Sequence, residues 1–172
     1  DPILVGVPAA ETVECSVVPV PAQPTATDNC EVDITIDFQE VKTDGNCTGN
    51  YTLTRTWIAT DNCGNTDVEV QVITVQNTTD PELFGVPSDA TVECDAIPPP
   101  AIPTASDNCN VDVNISFEVE IVPGTCPDSY LMIRKWIATN NCGNQDIQIQ
   151  NITVQDTTDP TLSGVPANVT VE

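Results

Sequence analysis

The sequence predicts an all-β chain made of tandem, disulfide-stapled sandwiches. Three observations lead there. The chain repeats itself at a fixed offset of 79 residues, and every cysteine obeys that offset. Apolar residues alternate with polar ones over several stretches, the period of a half-buried strand. Pro, Thr, Val and Ile dominate, and no apolar stripe recurs at helical spacing.

The repeat sets the organisation. "DPILVGVPAAETVEC" (Asp1 to Cys15) returns as "DPELFGVPSDATVEC" (Asp80 to Cys94), and "DPTLSGVPANVTVE" begins a third copy at Asp159. Cys15, Cys30, Cys47 and Cys63 map onto Cys94, Cys109, Cys126 and Cys142. The expected units are therefore 1–79, 80–158 and the start of a third over 159–172, part of a longer tandem array.

Within the first repeat, "TVEC" (Thr12 to Cys15) reads as a short strand. "VVPVPAQPTATD" (Val18 to Asp28) is too rich in Pro for a central strand and joins a sheet only as an edge near Thr25 to Thr27. "VDITIDFQE" (Val32 to Glu40) sets Ile34, Ile36 and Phe38 on one face, with Asp33, Thr35, Asp37 and Gln39 on the other. "YTLTRTWIAT" (Tyr51 to Thr60) sets Tyr51, Leu53, Trp57 and Ala59 opposite a row of threonines. Arg55 falls in phase with the apolar face, and Arg134 repeats it. An arginine so placed packs its stem on that face and turns its guanidinium to an acid or an aromatic ring. "DVEVQVITVQ" (Asp67 to Gln76) alternates until Val72 and Ile73 break the phase, which predicts a β-bulge. Short strands between turn signals fit an immunoglobulin-like sandwich.

Composition narrows the function. Lys and Arg total 4 against 26 Asp and Glu, His is absent, and the net charge is −22. Nucleic acid is excluded as a partner, because no basic face exists to meet phosphate. Anionic lipid is disfavoured for the same reason, and no apolar run is long enough for membrane insertion of this segment. An enzyme is not expected. Acid–base and nucleophilic sites are hard to assemble without His, and acids repeated in every unit argue against one dedicated cleft. Zinc-ligand spacing is absent, since no CxxC pair occurs. Eight cysteines beside few aromatics point to disulfides and an oxidising, extracellular compartment.

Four cysteines per unit allow three pairings. Cys30 precedes one long strand and Cys63 follows its antiparallel partner, so both fall at one pole. Cys47 lies in the connection at the other pole, and Cys15 ends a strand rising towards it. This predicts Cys30–Cys63 and Cys15–Cys47, repeated as Cys109–Cys142 and Cys94–Cys126. The rival, Cys15–Cys30 with Cys47–Cys63, stays open at this point.

The pole also gathers acid and amide side chains. Asp28-Asn29 and Asp61-Asn62 precede cysteines there, and linkers reading "QNTTDP" and "QDTTDP" arrive beside them. At each junction Asp80 meets Asp107, Asn108 and Asn141, with Glu14 and Asp44 approaching from the preceding unit. Asp1 and Asp159 occupy the equivalent linker position. Such oxygen-rich junctions are candidate calcium sites. Asn140 stands where the first unit has Asp61, one charge fewer. The bland alternative is that Asp and Asn before Cys are turn residues bonding their own backbone.

"VPAAETVEC", "TATDNC", "YTLTRTWIATDNCGN" and "ITVQNTTDP" resemble the hyalin-repeat-like modules with four cysteines, themselves similar to immunoglobulin and fibronectin type III sandwiches. The resemblance implies tandem arrays in large secreted adhesins of gliding and related Bacteroidota, export by the type IX route, and a place on the cell surface. It implies no catalytic residue. Asn-X-Ser/Thr triplets at Asn50, Asn77, Asn114, Asn151 and Asn168 are read as chance products of composition. "DTT" (Asp156 to Thr158) resembles a Bacteroidota O-glycosylation signal and makes Thr157 a candidate glycan site. The leading expectation is a stalk or fibre segment whose partners are neighbouring repeats, with lateral or end-to-end self-association. The alternatives are a glycan- or protein-binding adhesive module using the divergent loops Val41 to Asn50 and Ile121 to Ser129, or a self-assembling extracellular filament repeat.

Overall fold

The computed structural model describes residues 1–30, 33–109 and 111–164. The expected strand start at Val32, and the "VTVE" strand and Asn168 triplet of the third copy, lie outside the described residues. The chain is all-β: among the described residues there are twelve strands and one 3-10 turn, Cys15–Val17. It divides into two compact units. The first holds Asp1–Gly85 with Pro103–Ser116 and Ile137–Ile147; the second holds Val86–Ile102, Phe117–Trp136 and the described residues from Gln148 onward. The head of the second repeat therefore packs in the first unit.

In the first unit, β1 (Ile3–Val5) pairs antiparallel with β3 (Thr25–Thr27), with Leu4 opposite Ala26. This confirms the edge strand at the end of the Pro-rich run. A four-stranded sheet runs β2 (Glu11–Glu14), β6 (Thr66–Gln76), β5 (Tyr51–Thr60), β4 (Thr35–Asp44). β2 lies parallel to β6, and the other neighbours are antiparallel. β4 carries its pairing on to Asp44, beyond the Glu40 expected as its end. The short strands β7 (Glu82–Phe84) and β9 (Thr104–Ser106) repeat the β1–β3 pairing.

The alternation in β5 decides the core. Leu53, Arg55, Trp57 and Ala59 are buried on one face. Leu4, Trp57 and Ala59 form one cluster, joined by Val7, Ala22, Ala26, Ile34 and Ile36; Leu53, Ile73 and Val75 form another, joined by Val13 and Tyr51. The Trp57 ring meets Phe38 at 5.2 Å between centroids, a tilted aromatic pair.

The predicted bulge at Val72 and Ile73 does not form. β5 and β6 pair without a break from Tyr51↔Val75 to Thr60↔Thr66. The phase break arises because apolar residues occupy both faces. Ile73 and Val75 point inward, Val68, Val70 and Val72 are exposed, and the inward place before Ile73 is taken by Gln71. The buried Gln71 amide nitrogen donates to the Ala9 carbonyl and to Glu11 Oε1, both at 3.2 Å, while its Oε1 is buried without a partner.

Arg55 behaves as its phase requires. It is 3% exposed; its Nε donates to Glu40 Oε2 at 2.7 Å and its Nη2 to the Pro19 carbonyl at 2.7 Å. In the second repeat Val119 stands where Glu40 stands, and Arg134 turns to the carbonyls of Pro98 and Pro99, leaving Nε without a partner. Val119→Glu should therefore supply the missing acceptor and raise stability by about 1 kcal/mol, whereas Glu40→Val should cost about 2 kcal/mol. Denaturant midpoints of the two variants check both signs.

The second repeat has the same strand order: β10 (Val113–Pro123), β11 (Tyr130–Asn140), β12 (Gln145–Gln155), β8 (Ala90–Glu93). β8 and β12 are parallel. In the second unit Trp136 pairs with Phe117 at 5.0 Å, and Gln150 donates to the Ser88 carbonyl, the counterparts of Trp57–Phe38 and Gln71–Ala9.

Candidate functional site

Because β2 and β6 are parallel, Glu14 and Gln76 finish side by side at what is here called the tail pole. The β4–β5 connection lies there too, since Asn77 N donates to Asn50 Oδ1 at 2.7 Å. Five residues separate Gln76 from Glu82, so the next repeat's head begins directly below. That head offers two turns, Asp107 to Cys109 and Asn140 to Asn144.

The sulfurs close this seam. Cys15 is bonded to Cys109 and Cys47 to Cys142, with Cα–Cα separations of 5.6 and 5.3 Å. The expected pairs within a repeat, Cys15–Cys47, Cys30–Cys63, Cys109–Cys142 and Cys94–Cys126, are corrected by this finding. The rival neighbour pairing is absent as well. Cys30, Cys63, Cys94 and Cys126 carry free, exposed thiols. The allocation of cysteines to poles holds; the choice of partner does not. A five-residue link sets the tail pole of one repeat against the head pole of the next, so each sulfur finds its partner across the seam.

Hydrogen bonds fill the space around the two staples. Glu14 accepts from Thr78 N at 3.1 Å, Thr78 Oγ1 at 2.9 Å, Thr79 Oγ1 at 3.2 Å and Asn108 Nδ2 at 3.2 Å. Asn77, 4% exposed, donates its amide to Asp107 Oδ1 at 3.0 Å and accepts from Asn144 Nδ2 through its carbonyl at 3.0 Å. Asn140 donates to Asp107 Oδ2 at 2.9 Å, Asn141 to Thr48 Oγ1 at 2.6 Å, and Gln145 N to Asp80 Oδ1 at 3.3 Å. Gly49 must stay small, because a Cβ there would stand 2.6 Å from Asn77 Cβ. Gly49→Ala should cost about 1–3 kcal/mol by overpacking, read as a lower melting temperature of the oxidised protein.

The Asp and Asn residues before each cysteine cap turns. Asp28 Oδ1 accepts from Cys30 N at 2.8 Å, Asp107 Oδ1 from Cys109 N at 2.9 Å, and Asn140 Oδ1 from Cys142 N and Asn144 N, both at 3.0 Å. Asp61 Oδ1 accepts from Cys63 N and Asn65 N, while its Oδ2 takes the Asn65 amide. These side chains hold the cysteines out at the pole. Gly64 and Gly143 follow at φ +87° and +93°, where a side chain would be strained.

Calcium needs six to eight oxygens around one point. Of the predicted ligands, Glu14 meets Asn108, and Asp80 meets the backbone of Gln145. Glu14, Asp80 and Asp107 are engaged by amide, hydroxyl and backbone donors, and Asp44 pairs with Lys42 at 2.8 Å. Among the described residues one group of three His, Cys, Asp or Glu ligand atoms lies close together, Glu14 with Cys15 and Cys109, whose sulfurs are already joined. At the first repeat's head, Asp28 meets the Asp1 amine at 3.3 Å, and Asn29 and Asn62 flank exposed Cys30 and Cys63. Asp159 is exposed beyond β12. Thr157 donates its hydroxyl to Glu93 at 2.6 Å, as Thr78 does to Glu14, so the candidate glycan site is a polar bond of the second tail pole.

These bonds fix the response to acid. Burial pushes the Glu14 carboxyl up, but the donors on Asn108, Thr78 and Thr79 outweigh it and hold it below its ordinary 4.5. The Asn65 amide, against some burial, holds Asp61 below 3.8, helped by the backbone of Asn65, Cys63 and Gly64. The Thr157 hydroxyl and N–H do the same for Glu93. Each folded value lies below the unfolded one, so the stabilisation is complete above the unfolded value and is lost as pH falls through the folded one. The protein should melt lower at about pH 3 than at about pH 6, most clearly at high salt, where relief of the negative self-repulsion is already screened out.

Residues 3–75 match a family model, the HYR-like domain with 4 cysteines. No curated protein matches the chain by sequence. Among solved structures, Drosophila N-cadherin EC1-4 is similar at 11% identity over 86% of this chain and 48% of that one, with a TM-score of 0.36. The protocadherin GammaB4 extracellular domain is similar at 16% identity over 91% and 32%, with a TM-score of 0.37. The Ig1-2 module of the Drosophila receptor protein tyrosine phosphatase DLAR is similar at 11% identity over 90% and 98%, with a TM-score of 0.33. The chain thus spans about half the length of the N-cadherin fragment. Within the HYR-like match, Cys15 and Cys47 mark the tail pole and Cys30 and Cys63 the head pole.

Sequence reasoning missed Asn50, Asn77 and Asn144, which build the seam without a charge. The readable signal was the short link after β6, which leaves no room to hold the two poles apart.

Proposed function

We propose that this segment is a structural spacer, a stalk or fibre element of an extracellular, adhesion-type surface protein, stiffened at the seam between repeats. The observation that carries this reading is the pair of disulfides joining one repeat to the next, Cys15–Cys109 and Cys47–Cys142. Two staples at separate points of one seam oppose both bending and twisting there, as a single flexible linker cannot. The loop Val41 to Asn50 supplies Cys47, Thr48 and Asn50 to the seam. Divalent cations enter this reading as screening for a net charge of −22, so calcium and magnesium should raise the melting temperature about equally.

Force spectroscopy tests the stalk reading. With the staples closed, the line of force passes across the sulfurs and bypasses most of the chain between Cys15 and Cys109, whose sequence separation is 94. Full extension should fall short of the reduced protein by about 300 Å, at roughly 3.3–3.6 Å per residue. Equal extensions would remove the mechanical role.

A binding module is the second reading. It is favoured by an open groove in the first unit lined by Val20, Pro21, Pro24, Ile36, Phe38 and Trp57. Aromatic and prolyl faces of that kind stack on a sugar ring or an apolar side chain. Glycan-array binding abolished by Phe38→Ala would favour it over the spacer.

A further inference from the structure

We propose that the seam has a second closure: when the Cys15–Cys109 bond is reduced, the two sulfurs and Glu14 bind one zinc ion in its place. The ligands come from two repeats. Glu14 ends β2 and Cys15 follows it, while Cys109 closes the Asp107 turn of the next repeat, 94 positions along the chain. Glu14 Oε1 lies 3.9 Å from the Cys15 sulfur and 3.9 Å from the Cys109 sulfur. Around tetrahedral zinc, with Zn–S about 2.3 Å and Zn–O about 2.1 Å, neighbouring ligand atoms stand about 3.6–3.8 Å apart. The carboxylate oxygen therefore already stands close to one ligand edge from each sulfur. The two Cα atoms are 5.6 Å apart, so once the bond opens, side-chain rotation brings the sulfurs to the third edge. The site rests on the seam linkage that carries the stalk reading.

The surroundings suit a metal. Thr78 and Thr79 donate to the Glu14 carboxylate and fix its direction, as outer partners of a zinc ligand do. Zinc takes the lone pair of Oε1 that accepts from Asn108 Nδ2 at 3.2 Å. Asn108, with Oδ1 already 3.4 Å from the Cys109 sulfur, then accepts from the water that completes a zinc site with three protein ligands. The ion also offsets the charge of two thiolates and a carboxylate in a seam that holds Asp80 and Asp107. The second staple is built differently. Around the Cys142 sulfur stand Asn50 Oδ1 at 3.9 Å and Asn141 Oδ1 at 3.8 Å, uncharged amides. Among the described residues no acid joins the Cys47–Cys142 pair as Glu14 joins Cys15 and Cys109. Both pairs become dithiols on reduction, but the Glu14 pair binds zinc more tightly.

A phosphine opens the disulfide. It takes the oxygen of one water and becomes a phosphine oxide, and the two hydrogens of that water end on the two sulfurs. Zinc displaces both thiol protons as it binds. The test uses the full chain with Cys30→Ser, Cys63→Ser, Cys94→Ser and Cys126→Ser, which removes only exposed thiols and keeps the seam sulfurs. Its peptide map before reduction should contain the Cys15–Cys109 link; a map without it would overturn the zinc site and the stalk reading together. Reduced, desalted without oxygen and titrated with zinc, the protein should bind a first ion at least about a hundred-fold more tightly than the oxidised protein does. Cobalt in its place should give a thiolate charge-transfer band and the visible absorption of a tetrahedral site. Glu14→Gln should weaken the first ion by about ten-fold or more. Cys15→Ser with Cys109→Ser should abolish it, while Cys47→Ser with Cys142→Ser should leave it in place. Should Glu14→Gln loosen the seam itself, the cobalt spectrum of the chain with Glu14 intact still decides. With the Cys15–Cys109 link present in the map, equal affinity of reduced and oxidised protein, absence of the thiolate band, or a first ion lost with Cys47 and Cys142 would overturn the zinc site alone.

Discussion

Reducing Cys15–Cys109 and Cys47–Cys142 is expected to lower the melting temperature by about 10–20 °C and to turn one unfolding transition into two. The staples close loops with sequence separations of 94 and 95. On the chain-entropy account, one loop of that length removes about 4–5 kcal/mol of disorder from the unfolded chain; the second, interleaved with the first and sharing much of its loop, adds less. Stability of a domain this size is itself about 5–15 kcal/mol, so the loss is a large fraction of the whole. The split into two transitions follows from where the bonds lie. They join successive repeats, so while they are closed neither repeat can expand without dragging its neighbour. Calorimetry with and without a phosphine reductant measures both effects. A reduced protein that melts as one transition within a few degrees of the oxidised protein contradicts them.

Asn77→Ala is expected to destabilise the oxidised protein by about 2–3 kcal/mol, while the equivalent change Asp156→Ala stays within about 0.5 kcal/mol. Asn77 is almost fully buried, and its amide meets the charged Asp107 carboxylate. Losing a bond to a charged group costs more than losing a neutral one, and it leaves Asp107 Oδ1 with the Cys109 N–H alone. Asp156 occupies the same place in the repeat but is exposed at the second tail pole. The two variants thus change the same position of the repeat where it is buried and where it is exposed. Equal effects would mean that Asn77 acts within its own repeat and not through the seam.

Much of the fold was legible in the sequence, for a simple reason. A strand's side chains alternate with period two, so the inward face of β5 could be read directly, and Arg55 with it, because nothing else in the chain offered that phase a partner. The 79-residue offset fixed which cysteines share a pole. It could not say whether a pole closes on itself or on its neighbour, since both arrangements obey the same period. Only the five residues between Gln76 and Glu82 distinguish them, and linker length is an easily overlooked signal beside eight cysteines. β6 misled for a different reason. Val68, Val70 and Val72 are apolar yet outward, and Gln71 is polar yet inward, so hydropathy reports the wrong face until the Ala9 and Glu11 acceptors are known. The acid and amide pairs, read as calcium ligands by residue type, bond neighbouring backbone and amides. Asn50 and Asn77 were dismissed as chance triplets because an uncharged amide carries no pattern of its own.

The central claim is that this chain is stapled across repeats and not within them. Proteolysis of the unreduced protein, with free thiols blocked beforehand, followed by mass spectrometry of the linked peptides, tests it most directly. The account predicts peptides joining Cys15 to Cys109 and Cys47 to Cys142. Peptides joining Cys15 to Cys47 and Cys109 to Cys142 would contradict it.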